Sequence, residues 1–361
     1  MKNRRFTAGM VVLLMAAMMA LPGIIAVSGA AAADDGSAAW TLMVLHTNDT
    51  HSHLGNAARR ATIIKELRAR AANSLLVDAG DFTTGDLYFN QYNGQADVDM
   101  LNRLGYDAVT TGNHEYDFGA ARLAEYLQTA DFPVVNANFD YSAEPALTGH
   151  ISAAIGEEGK DQLSGKVFPA VIVDVNGQKV GIMGLTTPET QEASSPGPNI
   201  IEKDFVTAAA NTVDKLEQKG INKIIALTHV GWEADLKLAA QVEGIDLIVG
   251  GHTHTVPAIY PTVVDEDGTP TLVVQAGSNA EQLGHINIKF DSRGVVLAGQ
   301  SGGALLTVDG VDESHNYLYE QDPDIKAVVD EYDQAFEVLR STVIGHSDIF
   351  LNGERQAVRS R

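Results

Sequence analysis

Short apolar runs alternate with segments of helical period along most of this chain. Thr41 to Thr47, Leu75-Leu76-Val77, Ala108-Val109-Thr110 and Pro133-Val134-Val135 predict strands. Between them, Asn56 to Ala71 places Ile63, Ile64, Leu67 and Ala71 on one helical face. Arg59, Arg60, Lys65 and Arg68 lie elsewhere on that helix and read as a solvated face. Ala96 to Leu104 predicts a helix stopped by Gly105, and Ala120 to Gln128 predicts another. Tyr141 to Gly165 is polar and Gly-containing, and reads as a surface excursion. Val167 to Val175 and Lys179 to Leu185 flank Asn176-Gly177, a strong hairpin signal. A Ser/Pro/Gly loop follows from Gln191 to Pro198. Then come a helix over Lys203 to Lys219, a strand over Lys223 to Leu227, a helix over Glu233 to Val242 and a strand over Asp246 to Val249. Thr271 to Gln275, Ile286 to Phe290 and Val295 to Ala298 read as hairpin-type strands, and Asp322 to Leu339 as a final amphipathic helix.

Strands alternating with helices predict an α/β fold, and the later hairpins make its sheets mixed. Together they suggest two sheets packed between helical layers. No internal repeat is present at solenoid or propeller periods.

Five polar blocks each close one of the apolar runs. They are Asn48-Asp49-Thr50-His51, Gly80-Asp81, Gly112-Asn113-His114-Glu115, Thr228-His229 and Gly250-Gly251-His252-Thr253-His254. In open α/β sheets, ligands bind beyond the carboxyl ends of the strands, where each block falls. Asp, Asn and His are the donors of hard and borderline divalent cations. A lone His is more often a packed or surface residue. Here seven of the eleven histidines cluster at these ends: His46, His51, His53, His114, His229, His252 and His254. Five blocks in register therefore suggest a two-metal site and hydrolysis of a phosphate ester. Asp81, central in the set, is the candidate bridge, because a carboxylate has two oxygens to share. Asp49 and His51 can converge on one cation. Asn113 offers a neutral oxygen, and His229, His252 and His254 complete the shells. His114 is left beside the substrate. His46 reads as core or site and His53 as a supporting residue, while His150, His285, His315 and His346 read as structural or surface.

Composition narrows the setting. The chain has 361 residues, 45% of them hydrophobic and 20% charged, which is globular and large enough for one or two domains. Lys2, Arg4 and Arg5 precede an apolar stretch from Met10 to about Val27. Small residues from Ser28 to Ala33 then offer cleavage sites, so residues 1–33 read as a secretory signal peptide and the mature chain as periplasmic or extracellular, with no stable membrane span. With no cysteine there are no disulfides, no lipid anchor at a lipobox Cys and no thiolate ligands. The net charge is −22; removing residues 1–33 takes away three positive charges and no acids, leaving −25. Such a surface argues against binding a nucleic acid polymer.

With all five blocks in order, the chain resembles the calcineurin-like metallophosphoesterases, and more narrowly the secreted 5′-nucleotidase and UDP-sugar hydrolase family. Leu45-His46-Thr47-Asn48-Asp49-Thr50-His51 matches that family's opening motif. Gly112-Asn113-His114-Glu115-Tyr116-Asp117-Phe118-Gly119 matches its most specific one, and Gly250-Gly251-His252-Thr253-His254 its closing one. The likeness runs from roughly Leu42 to Gly310. It implies a four-layer αββα sandwich of two mixed sheets flanked by helices, and two divalent metal ions; nitrogen and oxygen ligands leave their identity open between zinc, manganese and others. One ion would take Asp49, His51, Asp81 and His254. The other would take Asp81, Asn113, His229 and His252. His114 and Asp117 would form the catalytic dyad, with Asn113 and His114 touching substrate. The implied reaction is attack on a nucleotide phosphate ester, in line with the leaving oxygen, by a hydroxide formed at the metals.

The resemblance also frames the chain's organisation. Residues 41–315 would be the catalytic domain and 322–341 an interdomain helix. Residues 342–361, including Gly353-Glu354-Arg355 and Val358 to Arg361, would open a C-terminal nucleotide-recognition domain that is otherwise missing. Other readings are a 2′,3′-cyclic-nucleotide phosphodiesterase with 3′-nucleotidase activity, a UDP-sugar hydrolase, a thiosulfonate hydrolase of sulfur oxidation, or a non-enzymatic secreted binding protein. The last would erode the ligand or dyad positions, and none is eroded.

Overall fold

The computed structural model describes residues 38–157, 159–264, 269–343, 345–350 and 352. The expected signal peptide over residues 1–33 and the tail over 353–361 lie outside these residues. In chain order the strands are β1 (Trp40–Thr47), β2 (Ser74–Asp78), β3 (Ala108–Thr110), β4 (Val134–Val135), β5 (Phe139–Asp140), β6 (Val167–Phe168), β7 (Ala170–Val175), β8 (Gln178–Thr186), β9 (Ile201–Glu202), β10 (Ile224–His229), β11 (Leu247–Val249), β12 (Thr262–Val264), β13 (Thr271–Val274), β14 (Gln282–Phe290) and β15 (Gly302–Thr307). The helices are α1 (Ala57–Arg70), α2 (Leu87–Tyr92), α3 (Gln95–Leu104), α4 (Gly119–Thr129), α5 (Lys160–Leu163), α6 (Thr190–Ala193), α7 (Phe205–Gln218), α8 (Trp232–Gln241) and α9 (Pro323–Ser341).

One large sheet runs β15-β14-β1-β2-β3-β4-β6 and a second β12-β13-β11-β10-β8-β7, while β5 and β9 pair as a small separate ribbon. In each large sheet the central strands are parallel; β14 and β15 add antiparallel at one edge of the first sheet, and β12 and β7 add antiparallel at the two edges of the second. The period of two along β1 sorts its side chains into layers. Leu42 and Val44 join Val77, Val171, Leu227 and Val249 between the sheets. Met43 and Leu45 face the other way, against Ile63, Leu101 and Leu123 from α1, α3 and α4. On the far side, Met183, Ala226 and Ile248 pack on Ala209, Leu216 and Leu238 from α7 and α8. The result is the αββα sandwich expected. Truncating a fully buried member such as Leu45 to Ala costs about 2–5 kcal/mol.

Local signals set several boundaries. Gly105 adopts φ +76° and closes α3, and Asp322 caps α9 by accepting from the Ile325 amide. Ile325, Val329 and Phe336 bury α9 against the helical layer of the first sheet. Among the described residues no helix is long and apolar enough to cross a membrane.

The structure corrects the sequence reading in four places. The run Val167 to Val175 is two strands in different sheets: β6 ends the first sheet and β7 edges the second. Pro169 sits at the break, where it has no N–H for a ladder. Val295 to Ala298 holds only an isolated bridge to Phe290, and the strand that pairs with β14 is β15. Its opening Gly302-Gly303 hid it from a propensity reading. β12 over 262–264, absent from the sequence reading, is the antiparallel partner of the expected strand over 271–275, and β13 also pairs with β11 in the second sheet. Finally, Arg60 is 2% exposed and not part of a solvated face.

Candidate functional site

The parallel strands of both sheets end at one edge, and the polar blocks meet there. β1 leads into Asp49 and His51, β2 into Asp81, and β3 into Asn113 and His114. β10 ends on His229, and β11 leads into His252 and His254. Asp49, His51, Asp81, His252 and His254 all have positive φ, between +48° and +76°. Asp and His tolerate this left-handed region better than most side chains, but holding five there costs conformational energy. Glycines permit the close approach. A Cβ on Gly112 would overlap Asp81 Oδ1. One on Gly251 would lie 2.7 Å from His229 Nδ1 and 3.1 Å from Asp49 Oδ2.

Three donor groups result, each with its ligand atoms within 4.8 Å of one another: Asp49, His51 and His254; His51, Asp81 and His114; Asp81, His229 and His252. Asp81 belongs to two of them. His254 Nε2 lies 3.2 Å from both Asp49 Oδ1 and His51 Nε2. Asn113 Oδ1 lies 3.1 Å from His252 Nδ1, which brings it into the third group. The seven residues read from the sequence as cation donors therefore converge. His114 Nδ1 meets Asp117 Oδ2 at 2.6 Å, so Nε2 is the nitrogen left to face a substrate.

Outer hydrogen bonds aim these groups. His229 Nδ1 donates to Ala79 O across the two sheets at 2.7 Å, and His51 Nδ1 to Thr84 O at 2.9 Å. Asn48 Nδ2 donates to Asp49 Oδ2 at 2.7 Å, and the His252 amide donates to the same oxygen at 3.0 Å. His53 supports the backbone, with Nδ1 on His51 O, and its ring stays outside the donor groups. His46 points between the sheets and meets the Tyr260 hydroxyl at 2.8 Å; burial lowers its ring to about 3, so it is neutral.

The electrostatics follow from burying acids and histidines together. Burial opposes charge on His229, but the Asp81 and Asp49 carboxylates outweigh it and push the ring up to about 10. Burial likewise opposes ionisation of Asp81, and the surrounding His229, His114 and His51 hold it well below the usual carboxylate range. The Asp117 hydrogen bond raises His114 to about 9 against the effect of burial. A divalent cation fits this arrangement. His229 Nε2 is fully buried, lies 3.0 Å from Asp81 Oδ2, and still makes no well-formed hydrogen bond. An imidazole nitrogen facing a carboxylate in that way suits a shared ion.

Two acids that sequence reasoning left without a role complete the site. Glu115 is fully buried and accepts from the Gly112 amide (2.7 Å), the Asp81 amide (3.0 Å) and the Thr83 amide (3.2 Å) and hydroxyl (3.1 Å). It clasps two of the donor loops together. The available signal was an acid directly after His114 in an otherwise metal-binding block. Glu189 Oε2 lies 3.1 Å from His252 Nε2, and its place beside a Ser/Pro/Gly-rich loop carried no signal at all.

Comparison with known proteins gives a consistent picture. The calcineurin-like phosphoesterase family matches residues 42–256. The trifunctional nucleotide phosphoesterase protein YfkN of Bacillus subtilis is 40% identical over 89% of this chain, which spans 22% of that protein. The 5′-nucleotidase of Diplobatis ommata is 36% identical over 90% of this chain, which spans 57% of it. The crystal structure of a 5′-nucleotidase precursor from Thermus thermophilus superposes with a TM-score of 0.77 at 38% identity. That match covers 89% of this chain and 64% of the other.

Proposed function

Because the chain belongs to the calcineurin-like phosphoesterase family, whose members are hydrolases that imply divalent metal ions, we propose that it hydrolyses nucleotide monophosphates in the manner of a 5′-nucleotidase, using two cations, zinc or manganese. The observation that carries this reading is that Asp81 groups with His229 and His252 on one side and with His51 on the other, that His51 in turn groups with Asp49 and His254, and that the His114–Asp117 pair lies beside them. Asp49, His51, Asp81 and His254 would hold one ion, and Asp81, Asn113, His229 and His252 the other. When bound, two such ions lower the pKa of a water and neutralise charge on the phosphoryl group.

The chain's own groups supply the remainder. Asp117 accepts from His114 Nδ1 and keeps the ring charged, so that Nε2–H can donate to a phosphoryl oxygen as negative charge builds there. Glu115 holds the Asp81 and Asn113 loops at a fixed separation. This preorganisation matters, because a shift of about 1 Å in such a constellation costs about a hundredfold in rate. The substrate is anionic and the chain carries a net charge of −22, so the local positive field must come from His114 and the cations. Export by the N-terminal segment belongs to the same reading, with the protein working on nucleotides outside the cytoplasm.

A phosphodiesterase reading stays in play for one reason: a relative at 40% identity is a trifunctional nucleotide phosphoesterase. The deciding experiment strips the purified chain with a chelator, restores manganese or zinc, and measures phosphate release from AMP, UDP-glucose and 2′,3′-cyclic AMP, with a phosphatase added to the last two to reveal ester cleavage. The proposal expects AMP to be the best of the three, with activity abolished by the chelator and restored by metal. Release that ignores the chelator would overturn it, and faster cleavage of the cyclic ester would replace it with the phosphodiesterase reading.

A further inference from the structure

We propose that Glu189 is a positioning residue that locks the tautomer of His252 and so sets the affinity of one of the two cation sites. The inference rests on the two-cation reading above. His51 and His229 each anchor Nδ1 on a backbone carbonyl, which leaves Nε2 turned to the cluster. His252 is mounted the other way round. Its Nδ1 faces Asn113 Oδ1 at 3.1 Å, while Nε2 faces Glu189 Oε2 at 3.1 Å. A carboxylate accepts, so Nε2 is the nitrogen that donates to Glu189, and the neutral ring that takes a cation presents its lone pair inward at Nδ1. In that tautomer His252 Nδ1 and Asn113 Oδ1 both offer lone pairs to a cation held between them. The negative charge on Glu189 also makes the imidazole a stronger donor, an effect the two carbonyl-anchored rings lack in this degree.

The loop that carries Glu189 is held in place independently. It leaves β8, where the Glu189 amide donates to Thr187 Oγ1 at 3.2 Å and Thr190 Oγ1 to Thr187 O at 2.7 Å, and it begins α6. Farther on, the Ser195 amide donates to Tyr116 O at 3.2 Å, in the turn that bears His114. One loop thus braces both His252 and the dyad turn. The Glu189 side chain is 70% exposed, so the fold does not depend on it, whereas the His252 side chain is only 20% exposed.

The test compares wild type, Glu189→Ala and Glu189→Gln in the full chain. Manganese is titrated into chelator-stripped protein by calorimetry, bound metal is counted by elemental analysis, and the ring nitrogens of His252 are followed by 15N NMR without metal. Wild type should bind two ions and show the Nε2–H tautomer. Glu189→Ala should weaken one of the two ions by about 10–100-fold, mix the tautomers, and leave the unfolding midpoint of the stripped protein unchanged. Glu189→Gln should fall between, because its carboxamide oxygen still accepts from Nε2–H. Unchanged affinity for both ions in Glu189→Ala, or equal weakening of both, overturns the inference. If wild type binds fewer than two ions, the two-cation reading fails instead; the tautomer then decides the role of Glu189, and a mixture in wild type refutes it.

Discussion

Replacing Glu115 with Gln changes one oxygen into an amide and nothing else in shape. In the native site, Oε2 accepts from the Gly112 and Asp81 amides, and Oε1 from the Thr83 amide and hydroxyl. A glutamine has one acceptor oxygen, so it must choose a side. Turning that oxygen to Gly112 and Asp81 keeps the two shorter backbone bonds. Its NH2 then faces Thr83, whose hydroxyl can rotate and accept, while the Thr83 amide is left against a donor. One unsatisfied buried donor costs about 1–3 kcal/mol. At roughly 2 °C per kcal/mol for a domain of this size, Glu115→Gln should lower the unfolding midpoint by about 2–6 °C. Glu115→Ala loses all four bonds and should cost clearly more. Because the clasp joins the Asp81 and Asn113 loops, both variants should also bind metal more weakly. Differential scanning calorimetry on chelator-stripped protein reads the first effect free of metal, and a manganese titration reads the second. Midpoints for the two variants that match wild type, or an alanine variant no worse than the glutamine one, would refute the clasp.

Other perturbations separate the parts of the site. His114→Ala should keep two bound ions by elemental analysis and lose at least about a hundredfold in kcat, since it removes a donor to the phosphoryl group and no proposed ligand; turnover at the wild-type rate would remove His114 from the mechanism. Asp81→Asn should fail to retain two ions after gel filtration, because a carboxamide offers one oxygen and no charge to share; full occupancy would reject Asp81 as the bridge. Gly251→Ala puts a methyl 2.7 Å from His229 Nδ1 and 2.9 Å from Ala79 O, wedging apart the hydrogen bond that aims His229. Metal affinity should drop with little change in far-UV circular dichroism, and an unaltered affinity would show that the close approach is not needed.

The layers, and the Asp, Asn and His side chains that the fold brings together, were readable because they are written locally. Asp49 and His51 lie two residues apart at the end of one buried strand, and the same logic holds for His252 and His254. An apolar run followed by Asp, Asn or His identifies such a corner without any knowledge of what lies opposite. What the sequence hid was everything set by distant contact. Glu115 takes its role from amides of the Gly80-Asp81 loop, and Glu189 from a histidine 63 positions away. Arg60 was read as solvated from its helical face alone; the structure buries it near Asp97 of α3, whose carboxyl burial raises to about 8 while Arg60 pulls it down. The split at Pro169 is a related case, because an apolar run cannot say which of two sheets each half will join.

Every role proposed for the site depends on two cations sharing the Asp81 carboxylate. Crystals of the protein grown with manganese, measured at the manganese absorption edge, address it directly. Two anomalous peaks are expected, each within coordination distance of Asp81, with His254 on one side and Asn113, His229 and His252 on the other. A single peak, or two peaks of which neither touches Asp81, would contradict it.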